Sequence, residues 1–457
     1  MFTIGADPVA LTRGSTAGRR IRRLDNGAVT GQDRCAQVDG DGRITLSPEL
    51  ASRYGIKPGA RVYVDELANG IYLLRPVTQL AKLYIEPTNL CNLNCRTCVR
   101  NVWNEPLGMM SDAVFDRVIE GLRTFTPPPK VFFGGLGEPL LHPKISQMVA
   151  RAKALGASVE LITNVTLLTP DLLDELVSIG IDVLWVSIDG ARPESYADVR
   201  LGAALPKVLE NLGHFRKTQS RHASLFSGLP QAQLGIVFVA MKRNIADLPA
   251  VCELAWQLGA QRFMVTNVLP YTVELSDEVL YHYKLGEVCV LDPEVAYRKR
   301  PFMSPHIYLP RIDANEITRN PVRSMISRNV DITWPDSIFR GTQNRCPFVE
   351  SGAGAIRWDG NLSPCLPLLH NYVIYLGRWE RSLHSWSIGS VLERDLADLW
   401  NDEEHIAFRE RVQTFDFSPC SICGGCNMLD SNQEDCFSNS FPTCGGCLWA
   451  QGVIQCP

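Results

Sequence analysis

Residues 91–98 read Cys91-Asn92-Leu93-Asn94-Cys95-Arg96-Thr97-Cys98, which places three thiols in one short loop. Thiols so closely spaced bind metal or exchange electrons. A structural zinc ion would need a fourth ligand to close its tetrahedron, and no Cys or His follows within thirty residues. A 4Fe-4S cluster held by three cysteines instead keeps one iron open, which suits chemistry more than stability. Nine further cysteines lie towards the C-terminus: Cys346, Cys365, Cys420, Cys423, Cys426, Cys436, Cys444, Cys447 and Cys456. Pairs such as Cys420-x2-Cys423 and Cys444-x2-Cys447 serve zinc ribbons and iron-sulfur clusters alike. Cys35, Cys252 and Cys289 stand alone and read as buried or free thiols.

These 15 cysteines among 457 residues bear on location. No apolar stretch of signal-peptide length follows the basic N-terminal residues, and no run approaches the ~18 apolar residues that a membrane span needs. The expected setting is the cytoplasm, where thiols stay reduced and clustered cysteines hold metal. Against 49 Asp plus Glu stand 45 Lys plus Arg, a net charge of -4, so no overall basic field points to nucleic acid or an anionic membrane. A hydrophobic fraction of 45% excludes a wholly disordered or fibrous chain.

The thiol loop follows an apolar β-run, Leu83–Glu86, that opens a regular series. Further strand candidates are Val131–Phe133, Val159–Ile162, Val183–Ser187, Gly235–Ala240 and Arg262–Val265. Amphipathic stretches separate them: Ala113–Leu122, Ile145–Leu155, Pro170–Ile179, Pro206–Phe215 and Leu248–Leu258. Parallel strands need crossover helices, so this alternation predicts a parallel sheet or partial barrel whose ligands sit at the C-terminal strand ends. The second strand runs into Gly134-Gly135-Leu136-Gly137-Glu138, the third into Thr163-Asn164-Val165, and the fourth ends at Ser187 before Asp189, with Arg200 beyond. Each alone fits a tight bend, a helix cap or a surface ion pair; successive strand ends carrying all of them favour a site.

The flanking regions have other patterns. Residues 1–35, with Arg19, Arg20, Arg22 and Arg23, read as a mobile arm. Residues 36–78 read as a small β-rich module: a strand Arg43–Leu46, a helix opened by Pro48 after a Ser47 cap, and a hairpin of Arg61–Val64 and Ile71–Leu74 turning at Asn69-Gly70. The proline-bearing stretch 268–345 reads as a connecting or substrate-covering segment. Residues 346–457 hold the second cysteine group and one helical stretch, Leu392–Arg411.

The Cys-x3-Cys-x2-Cys loop at the top of the first strand resembles the radical S-adenosylmethionine (SAM) superfamily. That resemblance implies a partial (β/α)6 barrel of the TIM type over residues 79–267, within an α/β chain. It implies a 4Fe-4S cluster on Cys91, Cys95 and Cys98 that cleaves SAM reductively to methionine and a 5'-deoxyadenosyl radical. By the same resemblance Gly134, Gly135 and Gly137 let the backbone meet the SAM ammonium group, with Glu138 supporting the loop. Thr163, Asn164, Ser187 and Asp189 are then expected at the ribose or the methionyl carboxylate, and Arg200 at that carboxylate. Two positions depart from the family: Thr97 stands where an aromatic residue is usual, so adenine must pack differently, and Val165 where Thr-Asn-Gly is common.

Cys346-x13-Gly360-x4-Cys365 resembles the opening of the SPASM extension, whose domains carry one or two auxiliary 4Fe-4S clusters. The implied partition gives one cluster Cys420, Cys423, Cys444 and Cys456, and the other Cys346, Cys365 and Cys447 with Cys426 or Cys436; zinc stays the alternative. Residues 36–78 resemble the AbrB-like swapped-hairpin family, which implies a homodimer or a docking module. The stretch from Ile85 to Gly108, with Val237–Asn244 and the Cys444-Gly445-Gly446-Cys447-Leu448-Trp449 ending, is similar to the tungsten-cofactor oxidoreductase radical SAM maturases. The implied partners are a client tungsten oxidoreductase or its pterin cofactor, and an electron donor such as ferredoxin or flavodoxin. Two other readings stand beside it: a SPASM enzyme modifying a peptide or protein side chain, and a DNA-binding iron-sulfur regulator. Over residues 35–77, Arg43, Arg53, Lys57, Arg61 and Arg75 are matched by Asp39, Asp41, Glu49, Asp65 and Glu66, so tight DNA binding is not expected. Trp103, Glu105, Tyr271 and His306 are further candidates to face substrate.

Overall fold

The computed structural model describes residues 36–67, 70–221, 232–282, 305–326, 331–333, 345–377, 379–420 and 426–457. The arm 1–35 with Cys35, together with Asn69, Cys289 and Cys423, lies outside the described residues. Within residues 36–51, Gln37–Val38 pairs antiparallel with Ile44–Thr45. Ser47 Oγ accepts from Leu50 N, so the helix Pro48–Arg53 begins with the expected cap.

Residues 52–457 are built on a mostly parallel sheet, whose last two strands, Asn361–Ser363 and Gly389–Ser390, run antiparallel to their neighbours. Among the described residues it has eleven strands, in the order Asp331–Thr333, His306–Tyr308, Arg262–Asn267, Gln233–Ala240, Val183–Ser187, Val159–Thr163, Lys130–Phe133, Lys82–Ile85, Ala353–Ile356, Asn361–Ser363 and Gly389–Ser390. The expected six are its middle, all parallel. Alternation along each strand makes two apolar faces. Leu83, Ile85, Val131 and Phe133 join Val114, Phe115, Val118 and Val149 of the outer helices. Tyr84, Phe132, Trp185, Val237 and Met264 point the other way, into a core shared with Leu448, Val453 and Ile454 near the chain's end.

Three expectations are corrected. The stretch 268–345 does more than connect, because His306–Tyr308 and Asp331–Thr333 extend the parallel sheet beyond Arg262–Asn267. On the opposite side Ala353–Ile356 of the cysteine-rich region pairs in parallel with Lys82–Ile85, so that edge too has its backbone groups satisfied. The hairpin pairs Val64↔Leu73 through Leu67↔Gly70, three residues later on its first strand than expected; this keeps Asp65 in the ladder, where Arg345 holds it at 2.6 Å. The single helix expected over Leu392–Arg411 is two, Leu396–Trp400 and Glu403–Thr414, because Asp402 caps the second by accepting from Glu404 N.

That second helix buries His405 against Arg409, whose guanidinium lies 3.8 Å over the Trp400 ring. Burial first, and the Arg409 charge second, pull the imidazole down to about 2. The native ring is therefore neutral, while the unfolded chain takes up a proton below its ordinary value near 6.5. Stability contributed above that pH is lost as pH falls through the window between the two values. Chemical denaturation at stepped pH should show a loss of up to ~1.4 kcal/mol per pH unit below about pH 6.5 that His405→Gln flattens.

Candidate functional site

The three cysteines lie where the sheet ends. Beyond Ile85 the chain is pinned by short polar side chains: Thr88 Oγ1 donates to Gly108 O at 2.6 Å, Asn89 Nδ2 to Pro106 O at 2.8 Å, and Gly108 N to Asn89 Oδ1 at 2.8 Å. Residues 88–108 thus close into one loop that holds Cys91, Cys95 and Cys98. A second tie comes from the far side, with Arg96 N donating to Val199 O and Asn94 N to Leu201 O.

The glycine turn fits beneath this loop. A Cβ at Gly137 would fall 2.2 Å from Thr88 O and 2.6 Å from Leu90 O, and one at Gly135, whose φ is +150°, 2.8 Å from Glu86 Oε1. Only glycine allows that approach. Glu138 is the anchor: its carboxylate accepts from Thr163 Oγ1 at 2.8 Å, Asn164 N at 2.8 Å and Leu140 N at 3.1 Å. Burial pushes this carboxyl up, and those hydrogen bonds only partly offset it. Glu138 therefore ties the second strand's turn to the third strand's end.

The other expected residues divide. Asn164 reaches the thiol loop, its Nδ2 at 3.8 Å from Cys91 Sγ and 3.0 Å from Asn92 Oδ1. Arg200 lies beside Cys95, Nη1 to Sγ 3.7 Å, while its Nε bonds Asp189 Oδ2 at 2.5 Å. Burial lowers the Arg200 guanidinium, and Asp189 with Cys95 more than reverses that. Thr163 uses its hydroxyl on Glu138 and Val165 N, so it supports the turn from behind. Asp189 is fully buried on Arg200 and Val239 N, and Ser187 is buried at its strand end.

Of the substrate-facing candidates, Trp103 and Glu105 both meet His370, at 4.8 Å between ring centroids and 3.4 Å respectively. Tyr271 packs edge-on to Tyr372 at 5.8 Å, its hydroxyl held up by burial and by the Cys98 and Cys456 charges. His306 is corrected: it pairs in register with Arg262, the first residue of its strand, so it belongs to the opposite end of the sheet, bonded to Asp331 and Thr333.

One observation tests whether the loop fits a three-cysteine cluster. Arg100 follows the third cysteine, and its Nε and Nη1 are buried with no hydrogen-bond partner. Its charge draws Cys91 and Cys98 down against burial, which is larger and raises both. Buried thiols facing an unsatisfied cation suit an anionic sulfur-rich group.

Four of the C-terminal thiols gather around one cavity. Cys346, Cys365, Cys444 and Cys447 line one apolar cavity with Arg381. Burial holds Cys365 well up, and the charges of Cys346, Cys444 and Cys447 add to it; burial and Cys447 push Cys346 up to about 12. Cys444 therefore sits with Cys346, Cys365 and Cys447. Cys456 accepts from Trp449 Nε1 at 3.3 Å, Cys420 lies beside Ser418, and Cys426 and Cys436 are exposed. Glu86, Arg100, His370 and Arg381 were not singled out by sequence. Glu86 and Arg100 flank the thiol loop and were within reach of inspection, whereas His370 and Arg381 join these sites only through the fold.

Val165 carries a cost: a β-branched residue at φ +68°, fully buried. Such strain is worth ~1–3 kcal/mol. Glycine removes it, so thermal melts should place Val165→Gly at or above Val165→Ala, reversing the usual order.

The chain matches the model of the Radical SAM superfamily over residues 85–231 and that of an iron-sulfur cluster-binding domain, SPASM, over residues 346–427. It is 28% identical over 382 residues to the tungsten-containing aldehyde ferredoxin oxidoreductase cofactor-modifying protein of Pyrococcus furiosus, covering 82% of this chain and 96% of that one. It is 30% identical over 197 residues to an AdoMet-dependent heme synthase of Methanosarcina barkeri, covering 42% and 52%. The fold is similar to that of Streptococcus suis SuiB bound to precursor peptide SuiA, with a TM-score of 0.50, 15% identity, and coverage of 76% of this chain and 72% of that one.

Proposed function

We propose a function for this chain, which belongs to the radical SAM superfamily and carries a SPASM-type iron-sulfur extension: it is a maturase for a tungsten-pterin oxidoreductase, acting on the enzyme's cofactor or on its polypeptide. The observation that carries this reading is the similarity to the Pyrococcus furiosus protein, which runs through 96% of that protein and so spans barrel and extension together. Among the described residues no helix is long and apolar enough to cross a membrane.

The chain's own residues prepare the site. Cys91, Cys95 and Cys98 would hold the 4Fe-4S cluster, with SAM as the cofactor. When bound and reduced, by a donor such as ferredoxin or flavodoxin, the cluster supplies the electron that splits SAM into methionine and a 5'-deoxyadenosyl radical. The turn Gly134–Gly137 brings backbone close to the cysteine loop, where its carbonyls receive the SAM ammonium group. Glu138 fixes that turn and Asn164 faces Cys91 from the next strand end. Arg200, already bound to Asp189, offers its remaining donors to the methionyl carboxylate. Tyr271 and Tyr372, packed edge-on, put apolar surface near Cys98 that would limit water at a reactive centre.

Anaerobic reconstitution tests the first part. Changing Cys91, Cys95 and Cys98 together to Ala should remove about four irons per chain and all 5'-deoxyadenosine formation, leaving the C-terminal iron in place. Coexpression tests the second: a tungsten oxidoreductase made beside the triple variant should be inactive, and made beside the native chain active, with a mass difference in its cofactor or polypeptide. Full activity of the client without the chain would refute the maturase reading.

The C-terminal set has its own expected outcome. Cys444→Ala should lower iron per chain by about as much as Cys365→Ala, and Cys436→Ala should leave it unchanged.

A further inference from the structure

One buried polar cluster takes no part in the site as described so far. Glu86, the first residue after the strand Lys82–Ile85, is 1% exposed, and His370, five residues after Cys365, is fully buried. The His370 ring lies between two carboxylates: Nε2 is 2.9 Å from Glu86 Oε2, and Nδ1 is 3.4 Å from Glu105 Oε2. Trp103 stands against the same ring at 4.8 Å. Asn371 next to it donates to Glu105 Oε1 from both its backbone N, at 3.1 Å, and its side chain, at 2.6 Å. Arg357 adds a charge 3.8 Å from Glu105. Residues of the cysteine-rich region are thus clamped by residues on both sides of the cysteine loop.

The other oxygen of Glu86 points to the glycine turn. Leu136 N donates to Glu86 Oε1 at 3.1 Å. In a trans peptide the N–H of one residue and the C=O of the residue before it point in opposite directions. Holding the Leu136 N–H on Glu86 therefore turns the Gly135 carbonyl away from Glu86. Gly135 alone tolerates the contact, since a Cβ there would meet Glu86 Cγ at 2.7 Å.

We infer that His370 and Glu86 are positioning residues for SAM: the SPASM-side imidazole holds the Glu86 carboxylate, and Glu86 sets the Gly135–Leu136 peptide so that its carbonyl is presented to the SAM ammonium group. The inference rests on the reading that the Gly134–Gly137 turn receives SAM. It makes SAM affinity depend on a residue near Cys365, outside the barrel that the cofactor touches. The same link runs back, because a bound SAM would stiffen the peptide, Glu86 and His370 together.

Equilibrium dialysis of labelled SAM against the anaerobically reconstituted full chain tests this, with iron per chain and the EPR spectrum of the reduced protein recorded in parallel. Glu86→Ala should weaken SAM binding by about tenfold, the size of one lost hydrogen bond to a charged group, without loss of iron. His370→Ala should weaken it about threefold or more, and Glu86→Ala/His370→Ala no more than Glu86→Ala alone, since both act on one peptide. Glu86→Gln, which keeps an acceptor for Leu136 N–H, should stay within about twofold of the native chain and give its SAM-induced EPR change. Should Glu86→Ala not accumulate as folded protein, His370→Ala and Glu86→Gln decide by the same measurements. Additive losses, unchanged affinity in the single variants, or iron lost in step with SAM would each overturn the inference. A native chain that binds no SAM would overturn the reading of the turn as well; normal native binding with indifferent variants would overturn the inference alone.

Discussion

Register between neighbouring parallel strands is the constraint on which the site depends. Ile85 pairs with Phe133 and Phe133 with Leu161, so the residues that follow each strand emerge side by side at one edge. That edge brings Glu86–Asn89, Gly134–Glu138 and Thr163–Asn164 into contact, and none of the three could do its part alone. A slip of one residue would exchange the helix-facing and interior sets of side chains, the first apolar throughout the core cluster and the second apolar around a few buried charges such as Glu160. Packing thus enforces the register that aligns the chemistry.

Electrostatics then make the site need its metal. Burial raises Cys91 and Cys98 in the first loop, and Cys346, Cys365, Cys444 and Cys447 in the second cavity. Like charges so placed resist ionisation, and iron bound by these thiolates would relieve the conflict. The protein contributes cations at each place, Arg100 and Arg200 at the first loop and Arg381 at the second. Iron binding there would couple loading to the folding of these loops.

The two cysteine regions also share one framework. Ala353–Ile356 extends the barrel sheet from the SPASM side, and the segment from Leu448 onward fills the barrel interior beneath Tyr84 and Trp185. Asn267, at the end of the sixth strand of the middle sheet, donates to Val453 O. An extension anchored at both a sheet edge and the barrel core cannot move as a free module. This gives the auxiliary cavity a fixed place relative to the cysteine loop, with Tyr271 and Tyr372 packed together between them.

Local signals in the sequence were enough for the six middle strands with their helices, and for where the thiol loop and the glycine turn fall at the strand ends, because thiol spacing, apolar alternation and glycine turns act over a few residues. They were not enough where partners are distant in the chain. One local signal was also missed, the Asp402 cap that divides the helix expected over Leu392–Arg411. His370 lies 284 residues from Glu86, and Arg381 meets Cys444 and Cys447 only in the folded chain. The sequence determined which chemistry this protein can hold and at which strand ends. Tertiary structure decided which thiols share a cavity, which carboxylates support the turn, and which histidine reaches them, since burial and charge pairing belong to contacts that no spacing along the chain encodes.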